Sequence, residues 1–227
     1  MPVSGVPVSR RRVLGMSSSV LAMPVFGSVF PTSVRASLPR DISFRALYQG
    51  APVGTHSVSF VGNDDRLVVT SHIDIAVKVL FFTAYRFAHD AVEIWRSGRL
   101  ISVESTTDDN GVQLSVMGQA ALGGFRINGV NGPFLADGGL MTTNTLWDSR
   151  LIAESRLIDV QNGGEIGLVV KPVGVEPVDT PQGRIVARRY SILTPNYAGS
   201  LFFDGGGRWV KSLLERQGEV LEYALQS

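Results

Sequence analysis

Every second position from 85 to 95 reads Tyr85, Phe87, His89, Ala91, Glu93 and Trp95. An extended strand sends alternate side chains to one face, so this spacing predicts an aromatic row that carries an imidazole and a carboxylate. A carboxylate buried among aromatic rings costs several kcal/mol if it stays charged and unpaired, or else its pKa moves. Glu93 must therefore pair with a cation such as His89 or an arginine, hold a proton, or line a wet cavity. Three roles follow: an internal ion pair, a polar group in a ligand cavity, or an acid or base working with His89 or His56.

Other chemistries find less support. The histidines are His56, His72 and His89, with Asp74, Asp90 and Glu93 close in sequence. Strand parity puts His56 on an apolar face and His72 on a polar one, and no His-Glu-x-x-His or comparable ligand spacing occurs, so no metal site is expected. The chain has no cysteine, which excludes disulfides, iron–sulfur clusters, thiolate zinc sites and cysteine nucleophiles. No Gly-x-Ser-x-Gly elbow and no Gly-x-Gly-x-x-Gly or phosphate-binding loop is present, and no cofactor is expected. Gly205-Gly206-Gly207 reads as turn chemistry between two strands.

The run Ser9-Arg10-Arg11-Arg12-Val13-Leu14 fits a twin-arginine export pattern, followed by a weakly apolar stretch and by Val34-Arg35-Ala36, with small residues where signal peptidase cleaves. The apolar stretch is too short and too rich in serine and glycine for a membrane span, which needs roughly 20 apolar residues. Residues 1–36 are expected to be an export signal read by the twin-arginine machinery, and residues 37–227 one domain delivered to the periplasm. The signal holds four arginines and no acid, so the 21 basic and 20 acidic residues of the full chain become 17 and 20 after cleavage, a net charge of −3. That balance removes the electrostatic footing for nucleic-acid binding, and the cleaved chain is not expected to span a membrane. A domain of this size buries roughly 70% of its unfolded surface, enough for a core without staples.

The elements that must position these residues are strands. Ile42, Phe44, Ala46 and Tyr48 alternate; so do His56, Val58 and Phe60; and Leu67, Val69, Ser71, Ile73, Ile75, Val77 and Val79 share one face of a long run whose other face is polar. Such a period of two predicts half-buried antiparallel strands. Ser97-Gly98 and Asp108-Asp109-Asn110-Gly111 are hairpin turns. Further strands are expected over 184–193, 199–204, 208–216 and 219–225, with 175–183 a proline-bearing connection. One helix is expected, capped near Thr143-Asn144, carrying Trp147 and Leu151 at helical spacing and ending before Leu157. About ten strands with a single helix predict a mainly β fold: a curved antiparallel meander forming a barrel or half-barrel, the short helix covering or plugging its open side.

Several stretches carry a resemblance: Val53-Gly54-Thr55-His56, Asp74-Ile75-Ala76-Val77-Lys78, Glu93-Ile94-Trp95-Arg96, Thr145-Leu146-Trp147, Ala187-Arg188-Arg189-Tyr190 and Gly207-Arg208-Trp209-Val210. Together they resemble a family of exported bacterial proteins, domain-of-unknown-function family 6134, across nearly the whole mature chain. The resemblance implies a curved antiparallel sheet similar in outline to periplasmic lipoprotein carriers, and brings no activity or site residues with it. Where that family commonly has a proline before its tryptophan-bearing helix, this chain has Met141-Thr142-Thr143. The functional expectation is an exported module that holds an apolar or amphipathic small molecule, with His56, Tyr85, His89, Glu93, Trp95 and Trp147 as ligand-binding residues. A cell-envelope enzyme using carboxylate and histidine, and a sheet whose edges recruit a partner, are the alternatives.

Overall fold

The computed structural model describes residues 38–63, 65–79, 82–216 and 218–227; the export signal expected at 1–36 lies outside them. The alternation in the sequence becomes β1 (Ile42–Tyr48), β2 (Ala51–Gly62), β3 (Arg66–Val79), β4 (Phe82–Arg96), β5 (Arg99–Asp109), β6 (Val112–Ala121), β7 (Gly124–Gly129) and β8 (Gly132–Ala136). After an insert come β12 (Val169–Thr180), β13 (Gly183–Leu193), β14 (Ala198–Phe203), β15 (Trp209–Arg216) and β16 (Glu219–Leu225), the insert itself holding β9 (Met141–Thr142), β10 (Arg156–Asp159) and β11 (Gly164–Gly167). Thirteen strands form one antiparallel sheet in the order β12-β13-β14-β15-β16-β1-β2-β3-β4-β5-β6-β7-β8. The first strand is central because it pairs with the last, Phe44 opposite Leu225 and Tyr48 opposite Leu221.

Local turn chemistry sets the register. Gln49-Gly50, Ser97-Gly98 and Asn110-Gly111 all have positive φ at both residues, the two-residue turn whose twist matches that of the strands it joins. The expected faces follow: Val69, Ser71, Ile73 and Ile75 of β3 and His89, Ala91, Glu93 and Trp95 of β4 are buried, while His72, Asp74, Asp90 and Val92 point outward.

Laid flat, thirteen strands at about 4.8 Å spacing span roughly 60 Å. A single buried cluster nevertheless joins Phe125 and Ile127 of β7, Phe44 of β1, Trp209 of β15 and Val178 of β12, so the sheet curls around its apolar face. It does not close: β8 and β12 are its edges and do not pair among the described residues. Both edges carry prolines, Pro133 in β8 and Pro172 and Pro177 in β12, residues that cannot donate to a further strand and belong on edges. This corrects the expected connection over 175–183, most of which is strand. The prolines mark an edge there, with a register shift between Pro172 and Gly174.

The insert also differs from expectation. In place of one helix from about 143 to before Leu157 there are two 3₁₀ turns, Thr145–Trp147 and Ser149–Ala153, separated by an extended Asp148 with φ −105° and ψ 111°. The Asp148 carboxylate accepts from Arg150 N–H at 2.9 Å and caps the second turn. Threonine, asparagine, aspartate and serine compete with helix hydrogen bonds through their own side chains, and six of them fall within 142–149. Two tight turns satisfy these groups where a continuous helix cannot. No helix among the described residues is long and apolar enough to cross a membrane.

Candidate functional site

The insert is bonded to the inner face of the sheet by polar contacts at three strands. Ser105 Oγ of β5 donates to the Val160 carbonyl at 2.5 Å, and Val130 N–H, after β7, donates to the Asn162 carbonyl at 2.9 Å. From β4, Glu93 and His89 each hold one residue of the insert. Thr142 donates its hydroxyl to Glu93 Oε1, and the Asn144 amide donates to His89 Nε2 at 2.9 Å. With Nε2 accepting, His89 carries its proton on Nδ1, which donates to Thr107 Oγ1 at 2.7 Å.

Glu93 is 2% exposed and has no ion-pair partner among the described residues. Trp95 Nε1 donates to its Oε2 at 2.9 Å. Burial pushes its carboxyl up to about 7, against the pull of Thr142 and Trp95, which favour the charged form. The Thr142 hydroxyl lies 3.0 Å from Thr145 Oγ1, so it can donate to a carboxylate, or accept from a carboxylic acid and pass its own hydrogen to Thr145. The carboxyl is thus satisfied in either state, without the cation that an internal ion pair requires. Burial lowers His89 to about 4 and His56 to about 3, so both are neutral imidazoles near neutral pH.

Beside this anchor lies a cavity of about 540 Å³. Ile73, Ile75 and Val77 of β3 form its apolar floor together with Phe87 of β4 and Leu221 of β16, and Thr143, Asn144 and Leu146 of the insert form the facing wall. The polar lining is Tyr48, His56, Tyr85, Asp109, Gln161, Tyr197, Glu219 and Tyr223; it includes no lysine or arginine. Tyr85 OH donates to Asp109 Oδ1 and Tyr48 OH to Glu219 Oε2, both at 2.7 Å.

The six residues singled out in the sequence separate into two groups. His56 and Tyr85 line the cavity. His56 also bonds Ser71 Oγ through Nε2 at 3.0 Å and packs edge-on to Trp209 and Tyr223 at 5.3 and 5.2 Å. His89 stands one residue behind the wall, reaching the cavity only through Asn144. Glu93, Trp95 and Trp147 lie outside the lining and fasten the insert. Trp147 meets Trp95 and Phe60 edge-on, at ring separations of 5.8 and 5.2 Å. Glu93 shares no hydrogen bond with His56 or His89 among the described residues; each holds other partners. His72 sits on the outer face, bonded to Asp90 at 2.6 Å, and no group of three histidine, aspartate or glutamate side chains gathers among the described residues.

Sequence reasoning missed Tyr48, Tyr197 and Tyr223 as lining groups. Tyr48 and Tyr223 were legible, since each shares the apolar alternation of its strand. Tyr197 follows Pro195-Asn196 in a loop, where no periodicity points inward.

No curated protein matches the chain in sequence. Among solved structures, a beta-barrel-like protein of domain of unknown function DUF1849 from Brucella abortus is similar, with a TM-score of 0.60 over 83% of this chain and 95% of that one, at 9% identity. At that identity the likeness speaks for the fold alone. The family described as Domain of unknown function (DUF6134) matches residues 44–226, from the second inward residue of β1 to the end of the sheet, and the protein belongs to it.

Proposed function

We propose that the protein is an exported carrier or binding module that holds one apolar or amphipathic small molecule between its curled sheet and the insert. The observation that carries this reading is the cavity of about 540 Å³ floored by Ile73, Ile75 and Val77. Ligand sites are commonly concave, mostly apolar spaces of roughly 300–1,000 Å³ with a few placed polar groups. Each ligand CH₂ transferred from water to such a floor contributes about 0.8 kcal/mol. The insert covers the open side of the sheet in this reading, two 3₁₀ turns doing what a plugging helix was expected to do.

Titration with the uncharged dye N-phenyl-1-naphthylamine tests it. One dye per chain is expected, with fluorescence enhancement that Val77→Trp weakens at least tenfold by filling the floor, while the urea midpoint moves little. No enhancement, or affinity unchanged in Val77→Trp, contradicts the reading.

Export is the other half of the proposal. Its support is the sequence alone: Arg10-Arg11, then the apolar stretch, then Val34-Arg35-Ala36. Replacing both arginines by lysine (R10K and R11K) is expected to leave the uncleaved precursor in the cytoplasm, read by fractionation and immunoblot. Normal processing of that variant counts against a twin-arginine route.

A further inference from the structure

Four tyrosines, Tyr48, Tyr85, Tyr197 and Tyr223, line the cavity. Tyr85 already gives its hydrogen to Asp109. Tyr223 is only 4% exposed and lines the cavity, yet among the described residues its hydroxyl meets no hydrogen-bond partner. The Tyr197 hydroxyl, on the same cavity, likewise meets none. Burial holds the Tyr223 phenol in its neutral form, so its hydroxyl remains an O–H donor on the cavity that Tyr197 also lines. Neither hydroxyl is sealed off from the cavity, so an acceptor on a ligand adds a hydrogen bond.

The charges around them narrow what can supply the acceptor. The only formal charges in the lining are the carboxylates Asp109 and Glu219. An anionic head group entering here meets no cation and two like charges, a combination that disfavours binding. A trimethylammonium head, although the two carboxylates attract its charge, brings no acceptor and so leaves both phenol hydrogens unmatched. A carbonyl, ester or hydroxyl oxygen accepts from both.

We infer that the cavity selects a neutral amphiphile whose polar end is a carbonyl, ester or hydroxyl oxygen bound by Tyr223 and Tyr197, and that it disfavours carboxylate- and ammonium-headed molecules of the same chain length. This specificity rests on the cavity reading above. Tyr223 and Tyr197 are its specificity-determining residues, and the apolar body of the ligand lies along Ile73, Ile75 and Val77 in β3.

Displacement of bound N-phenyl-1-naphthylamine by three dodecyl compounds at neutral pH, each below its micelle concentration, is the test: glycerol monolaurate, dodecanoate and dodecyltrimethylammonium. The monoester is expected to displace the dye at about tenfold lower concentration than either charged compound. Tyr223→Phe should weaken the monoester about five- to tenfold more than it weakens the dye, the size of one neutral hydrogen bond, and leave the unfolding midpoint unchanged. Tyr197→Phe provides the same reading if the first variant does not fold. Equal or better displacement by either charged compound overturns the inference, as does unchanged monoester affinity in a folded tyrosine variant. Those failures leave dye binding intact; absence of dye binding removes the cavity reading itself and this inference with it.

Discussion

Glu93→Ala is expected to lower the unfolding free energy by about 4 kcal/mol, combining a cavity with an orphaned buried donor. That donor is Trp95 Nε1; the Thr142 hydroxyl, also bonded to this carboxyl, can turn to Thr145 Oγ1. Glu93→Gln keeps an acceptor for Trp95 and offers an amide hydrogen to Thr142, and should cost about 1 kcal/mol. The pair of variants also isolates a pH dependence. Burial raises Glu93 from 4.5 to about 7, so the native protein holds a proton there that the unfolded chain releases. Its contribution is fully present below about pH 4.5 and is lost as pH rises to about 7, about 3 kcal/mol in all. His56 and His89 act oppositely: their folded values of about 3 and 4 lie below 6.5. Their contribution is present above about pH 6.5 and is lost as pH falls. Urea unfolding between pH 4.5 and 8 should show wild-type stability minus that of Glu93→Gln declining to about pH 7 and flat beyond. A difference that stays constant across this range contradicts the account of Glu93.

Gly129→Ala is expected to cost about 3 kcal/mol and to loosen the insert. A Cβ at Gly129 falls 2.3 Å from the Asn162 carbonyl oxygen and 2.6 Å from Gly163 Cα. Both are backbone atoms that no rotamer change can move. Gly163 has φ +76°, and a Cβ there falls 2.6 Å from Gly129 Cα, so the two glycines let the chain after β10 lie directly on the end of β7. Pushing them apart breaks the bond from Val130 N–H to the Asn162 carbonyl and shifts Gln161 in the cavity wall. Amide exchange at Val130 should accelerate, and dye affinity should fall together with the urea midpoint. Full protection at Val130 in a stable Gly129→Ala protein contradicts this seating.

These effects show which parts of the molecule could be read from sequence. A period of two is a local signal, and it assigned the inward faces of β1 to β4 because each residue reports its own side of the pleat. Turn pairs such as Ser97-Gly98 and Asn110-Gly111 were legible for the same reason: positive φ is a property of the residues themselves. The prolines of β12 misled, because proline excludes a central strand and not an edge, and only the assembled sheet reveals which strand is outermost. The insert was misread as a helix because Trp147 and Leu151 fit helical spacing, while the side chains of Thr142, Thr145 and Asp148 settled the backbone into separate turns.

Site legibility was partial for a similar reason. The row from Tyr85 to Trp95 is one continuous inward face, yet it serves two ends of the interior. Tyr85 and Phe87 line the cavity, whereas Glu93 and Trp95 lie under the insert. Where the insert crosses the strand depends on contacts more than forty residues apart in sequence, such as Asn144 with His89, and no periodicity encodes that crossing point.

Methyl-resolved NMR of the protein with glycerol monolaurate added tests the central claim most directly. The account predicts saturable shifts at Ile73, Ile75, Val77, Leu146 and Leu221, five of the methyl-bearing residues of the cavity, with the exposed outer-face Val92 and Val112 unmoved. Shifts spread over Val92, Val112 and other exposed methyls, or no saturable shift at Ile73, Ile75 and Val77, contradict a ligand-holding interior.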